Sequence, residues 1–84
     1  MIRGIFAIKD VKTSFWPPHL QPNDAAAQRE FANLVNSERN EFMQQNYADC
    51  ELWKLGEYDD VTGVITSAPE FLCAGSAVKK VINA

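Results

Sequence analysis

His19, Cys50 and Cys73 are the side chains of this sequence that could make a soft metal site or a nucleophile with its base. A structural zinc needs four ligands, usually including a close Cys-x-x-Cys pair, and here the two thiols stand far apart. Small buried core thiols are the better reading of both cysteines. A catalytic cysteine would need a base beside it, whereas His19 follows two prolines in a segment that reads as a surface loop. Glu57, Asp59 and Asp60 lack the alternating carboxylates, central glycine and late glutamate of a calcium loop; adjacent acids at a turn more often bond their own backbone. The glycines are scattered singly, so no phosphate cradle or nucleophile elbow can be drawn. Neither an enzyme nor a metal or other cofactor is expected.

One constellation remains. Arg3, Lys9, Lys12, Phe15 and Trp16 interleave cations with aromatic rings, as a platform for single-stranded nucleic acid does, where bases stack on rings and cations meet phosphates. If Lys79 and Lys80 fold beside them, one face becomes positive. The competing reading is that Phe15 and Trp16, placed before Pro17 and Pro18, cap the core, while the lysines are edge-strand charges that block aggregation. Trp53, between Leu52 and Leu55, is expected in the core.

These residues must be positioned by few elements. Met1 to Thr13 reads as a strand, with the apolar run Ile5 to Ile8 buried on both faces and an alternating stretch after it. Pro17 and Pro18 end it, and a loop runs to about Asn23. Asn23 or Asp24 caps a helix whose Ala27, Phe31, Leu34 and Val35 form one apolar stripe. A short second helix over Glu38 to Gln45 would tuck Phe42 and Met43 toward the core. Cys50 to Tyr58 and Val64 to Thr66 read as a hairpin around Asp59-Asp60-Val61-Thr62-Gly63, and a final strand, Phe71 to Ala74, follows Pro69. The expected fold is α+β: a small, antiparallel-leaning sheet of three to four strands with one main helix packed on one face. It forms a single domain over residues 1–84, with a flexible tail at about 76–84.

The chain has 84 residues, 46% hydrophobic and 23% charged, enough for one core and no second domain. So small a domain gains from a partner surface, so a homo-oligomer is expected. The net charge is -3, the wrong sign for a protein that coats nucleic acid chiefly by counterion release. The charge is uneven: Arg3, Lys9 and Lys12 near the start and Lys79 and Lys80 near the end flank a middle rich in acids. The two cysteines and the absence of a signal-like N-terminus suggest a reducing cytoplasm, and no apolar run approaches a membrane span.

Three segments together resemble the small nonstructural protein family of microviruses, the gokushovirus-like single-stranded DNA phages. They are Phe6-Ala7-Ile8-Lys9-Asp10-Val11-Lys12, then Arg29-Glu30-Phe31-Ala32-Asn33-Leu34-Val35-Asn36, then the run from Tyr47 to Gly63 that contains Leu55-Gly56-Glu57-Tyr58-Asp59-Asp60-Val61-Thr62-Gly63. Each motif alone is weak; the three in order are specific. The link from Glu41 to Asn46 departs from the prolines common in that family, and the segment past Gly75 is variable. The resemblance implies a phage protein made in the host bacterial cytoplasm that assists single-stranded DNA synthesis, replication or packaging. No residue roles come with it.

The sequence therefore supports a non-enzymatic phage protein assisting single-stranded DNA synthesis, replication or packaging, with single-stranded DNA as one candidate ligand. The alternative is a protein-interaction module, an oligomeric adaptor to the phage replication initiator, the procapsid or a host factor, whose acidic middle meets a basic partner. A minor capsid or scaffold component is a third class.

Overall fold

The apolar run Ile5 to Ile8 lies within β1 (Ile2–Asp10), a strand flanked on both sides by others. The computed structural model describes residues 1–80. Its sheet has four strands in the order β2-β1-β3-β4, every neighbouring pair antiparallel, with β2 (His19–Gln21), β3 (Cys50–Asp59) and β4 (Ile65–Ala74). With α1 (Asp24–Val35), α2 (Glu41–Asn46) and α3 (Gly75–Val78), this is an α+β fold.

Two strand expectations need correction. His19 to Gln21, expected in a loop, pairs with β1 through Gly4↔Gln21, Ile5↔Leu20 and Phe6↔His19. The segments Val64 to Thr66 and Phe71 to Ala74, expected as separate strands, belong to the one strand β4, which starts at Ile65, one residue later than expected, and runs through Pro69. An edge strand tolerates proline because the missing N–H is not needed by a further neighbour.

The helices begin where side chains satisfy their first N–H groups. The Ala26 N–H donates to Asn23 Oδ1 at 2.8 Å at the start of α1, and the Met43 N–H donates to Asn40 Oδ1 at 3.0 Å at the start of α2. The second helix therefore starts at Glu41 rather than Glu38. A 3-10 turn, Tyr47–Asp49, leads into β3.

One face of the sheet carries the core. Antiparallel partners point to the same face, so Phe6 and Ile8 on β1 meet Cys50 and Leu52 on β3 beneath Ala27, Phe31 and Val35 of α1 and Met43 of α2. Burying each large apolar side chain there contributes about 1.5–3 kcal/mol. Val78 of α3 also packs against this cluster, so several short helices share the covering of the sheet. The tail expected at 76–84 begins within α3, and residues 81–84 lie outside the described residues.

The core occupies one end of a molecule measuring 50 × 24 × 19 Å. At the other end the β3–β4 hairpin projects, and every residue from Asp60 to Phe71 is exposed. Its turn is built as the sequence indicates. Asp59 Oδ1 accepts from the Val61 N–H at 2.9 Å and the Thr62 N–H at 3.3 Å. The Gly63 N–H closes onto the Asp59 carbonyl at 2.7 Å. Gly63 has φ 78°, the left-handed region that glycine enters without a Cβ penalty.

Candidate functional site

The face of the sheet away from the core cluster carries a row of rings. Lys9 is opposite Glu51, and Ala7 is opposite Trp53, placing all four on the face that Phe6, Ile8 and Leu52 do not use. Trp53 is in turn opposite Phe71 on β4, and an isolated bridge places Phe15 opposite Lys9. The resulting row runs Phe15, Trp53, Phe71, with ring centroids 5.6 Å apart at 84° and 5.9 Å apart at 77°. Edge-on packing of this kind is the favoured aromatic geometry, because it sets the positive rim of one ring against the negative face of the next. Phe15 and Phe71 remain 40% and 47% exposed, so the row is open to a ligand.

Lys9 is the cation of this row. Its ammonium lies 5.3 Å from the centroid of Phe15 and 5.3 Å from that of Trp53. Among the described residues it makes no ion pair. Glu51, its cross-strand neighbour, accepts instead from the Trp53 indole N–H at 3.0 Å, which fixes the tilt of that ring.

The other residues singled out from the sequence are dispersed. Arg3 Nε lies 3.3 Å from Asp60 Oδ2, and the same carboxylate takes the terminal ammonium of Met1 at 2.6 Å. These partners, the ammonium first, hold the Asp60 carboxyl below its ordinary range. Lys12 lies in the exposed turn after β1, where its backbone N–H donates to Asp10 Oδ1 at 3.0 Å. Trp16 turns to the core side, packing against the buried cluster and against Phe42 at 5.5 Å. Lys79 stands 5.0 Å from the Tyr47 ring centroid, and the Lys80 N–H donates to Asn36 Oδ1 at 2.8 Å. Both C-terminal lysines thus sit by the helices.

Trp53, expected in the core, is half-buried on the open face and lies outside the core cluster. The signal that identifies it is the strand period: with Cys50 and Leu52 facing inward, Glu51 and Trp53 must face outward. Phe71 joins the row through β4 pairing, which no local pattern shows.

Neither thiol is activated. Burial, with the Asp10 and Asp49 carboxylates adding, pushes the Cys50 thiol up from its ordinary value, and burial alone does so for Cys73. No group of three His, Cys, Asp or Glu side chains among the described residues could hold a metal ion. No helix among them is long and apolar enough to cross a membrane.

Comparison with protein families gives one decisive match: the model of the phage ORF5 protein family covers residues 3–78. The chain belongs to the phage ORF5 protein family. The matched span takes in all three helices and all of the four-stranded sheet except Ile2, the first residue of β1. The searches of curated proteins and of solved structures returned no match. Membership in the ORF5 family identifies a phage protein without specifying its activity.

Proposed function

We propose that this ORF5-family protein is a non-enzymatic, nonstructural accessory protein of microvirus type that assists phage single-stranded DNA synthesis, replication or packaging. It acts by binding single-stranded DNA on the open face of its sheet. The observation that carries this reading is the uncovered row Phe15, Trp53, Phe71 with the Lys9 ammonium beside two of its rings. Every base has a π-face, so exposed rings bind single strands without sequence preference, and a neighbouring cation neutralises phosphate. Arg3 supplements this site only when a phosphate displaces Asp60 from it.

The net charge of -3 favours a second reading, in which a basic protein partner meets the acidic middle of the chain. Fluorescence anisotropy of a labelled single-stranded oligonucleotide, titrated with protein at low and at physiological salt, separates the two. Saturable binding that weakens with salt and is weakened further in Trp53→Ala supports the DNA reading. Absence of binding at low salt overturns it and leaves the protein partner.

A further inference from the structure

The ring row by itself is indifferent to the base it stacks, since every base has a π-face. The carboxylate beside it is not. Of the acids on the strands, Glu57 is opposite Gly4 and Glu70 is opposite Lys54, which is itself opposite Phe6, so both lie on the face of the core. Asp10 and Asp59, opposite Cys50 and Ile2, follow the same alternation. Glu51 alone stands on the open face, opposite Lys9.

Lysine opposite glutamate is an ordinary cross-strand ion pair, yet the two side chains part. The Lys9 ammonium lies 5.3 Å from the Phe15 and Trp53 ring centroids, and Glu51 Oε1 accepts from the Trp53 indole N–H at 3.0 Å. An indole N–H points outward in the plane of its ring, so the half-buried carboxylate sits at the rim of Trp53 and not over its face. Two carboxylate oxygens offer about four acceptor sites, and among the described residues the indole N–H is the one donor that Glu51 takes. Ring, cation and unfilled acceptor thus meet at one place on the sheet. They match the three parts of a nucleotide: the plane of the base, the phosphate and the hydrogen-bonding edge of the base. A site that only followed the backbone would gain nothing from a carboxylate, which repels phosphate.

We propose that Glu51 reads the edge of the base held on the ring row and selects bases with an exocyclic amino group, such as cytosine, against thymine. The inference rests on the single-strand reading above and adds a base preference to it. The cytosine N4 amino group donates to a carboxylate, the pairing that glutamate and aspartate make in base recognition. Thymine offers one ring N–H between two carbonyl oxygens, which meet the carboxylate with negative charge. The bond to the indole N–H holds the carboxylate in place before any base arrives, so little further ordering is needed on binding.

The test is fluorescence anisotropy of labelled oligo-dC and oligo-dT of equal length, titrated with the full chain at low salt and neutral pH. The proteins are the wild type, Glu51→Gln and Glu51→Ala, each checked for folding by far-ultraviolet circular dichroism. The two pyrimidine homopolymers carry the same charge and present rings of the same size, so their ratio isolates the base edge. The wild type is expected to bind oligo-dC about tenfold more tightly, the factor that one hydrogen bond to a charged acceptor supplies. Glu51→Gln keeps an oxygen for the indole N–H and removes the charge, and should bring the ratio close to one without weakening oligo-dT. Glu51→Ala should remove the preference as well, and carries the test if the glutamine variant fails to fold. Equal wild-type affinities, tighter binding of oligo-dT, or a preference that persists in the folded variants overturns the proposal and leaves single-strand binding in place. No binding of either oligonucleotide overturns the single-strand reading and this proposal with it.

Discussion

The Phe15 ring meets the Trp53 indole edge-on, with centroids 5.6 Å apart, although Phe15 follows β1 in the chain and Trp53 lies on β3, beyond both α1 and α2. The contact exists because β1 lies between the Phe15 bridge and β3, so that Lys9 has Phe15 on one side and Glu51 on the other. A single lysine is thereby placed beside two rings.

Trp53→Ala removes the central ring of the row. In the oligonucleotide titration it is expected to weaken binding by about 1–3 kcal/mol, the range of one base–aromatic stack. Trp16→Ala is the control, since Trp16 packs on the core side. It should lower the melting temperature and leave affinity for the oligonucleotide unchanged. Equal binding losses in the two variants would contradict the division of faces.

Lys9→Ala should weaken binding across all sequences and reduce the slope of log affinity against log salt by about 1, the signature of one phosphate contact. Replacing Lys79 and Lys80 together should leave that slope where it is, because they sit beside Tyr47 and Asn36 at the helices. Salt titrations of both variants at fixed oligonucleotide length check this.

Phe31→Ala empties the centre of the core, where the ring is 2% exposed. The expected cost is about 3–5 kcal/mol, a large share of the stability of a domain this small. Chemical denaturation monitored by tryptophan fluorescence measures it. A midpoint close to that of the wild type would overturn the core assignment.

Gly56→Ala tests the irregular middle of the β3–β4 pair. A Cβ on Gly56 would collide with the Thr66 carbonyl oxygen, which is backbone and cannot turn aside. The hairpin arm should loosen, seen as faster amide exchange from Glu57 to Ser67 than in the wild type, while the buried end keeps its protection.

Acid should loosen the hairpin turn before the core. The Val61 N–H, with the Thr62 N–H and hydroxyl adding against a smaller opposing effect of burial, holds the Asp59 carboxyl below its ordinary value of 3.8. A lowered folded pKa stabilises fully above that ordinary value and is lost as the pH falls through the folded one. The Val61 and Thr62 amide resonances should therefore shift together below about pH 4, and Asp59→Ala should abolish the shift. Turn amides insensitive to pH in that range would show that the carboxylate does not hold the loop.

By itself the sequence determined the elements whose signals are local. The Ala27, Phe31, Val35 stripe, the asparagine cap of α1 and the Asp59 to Gly63 turn depend on residues a few positions apart, and each has the place its chemistry requires. Lys9 and Phe15, two members of the candidate site, were legible for the same reason. Tertiary structure decided what depends on pairing between distant segments. Phe15 and Trp16 read as one platform in the chain, yet extended backbone turns successive side chains to opposite faces, and only the docking of helices on one face determines which ring is covered. Trp53 and Phe71 completed the row through strand register, and Pro69 stayed within β4 because β4 proved to be an edge. Lys79 and Lys80 were carried away from the row by α3, a consequence of where the last strand ends and Val78 finds the core. Hydrophobic pattern and turn chemistry act over a few residues; strand order and the choice of open face arise from burying one face of the whole sheet at once.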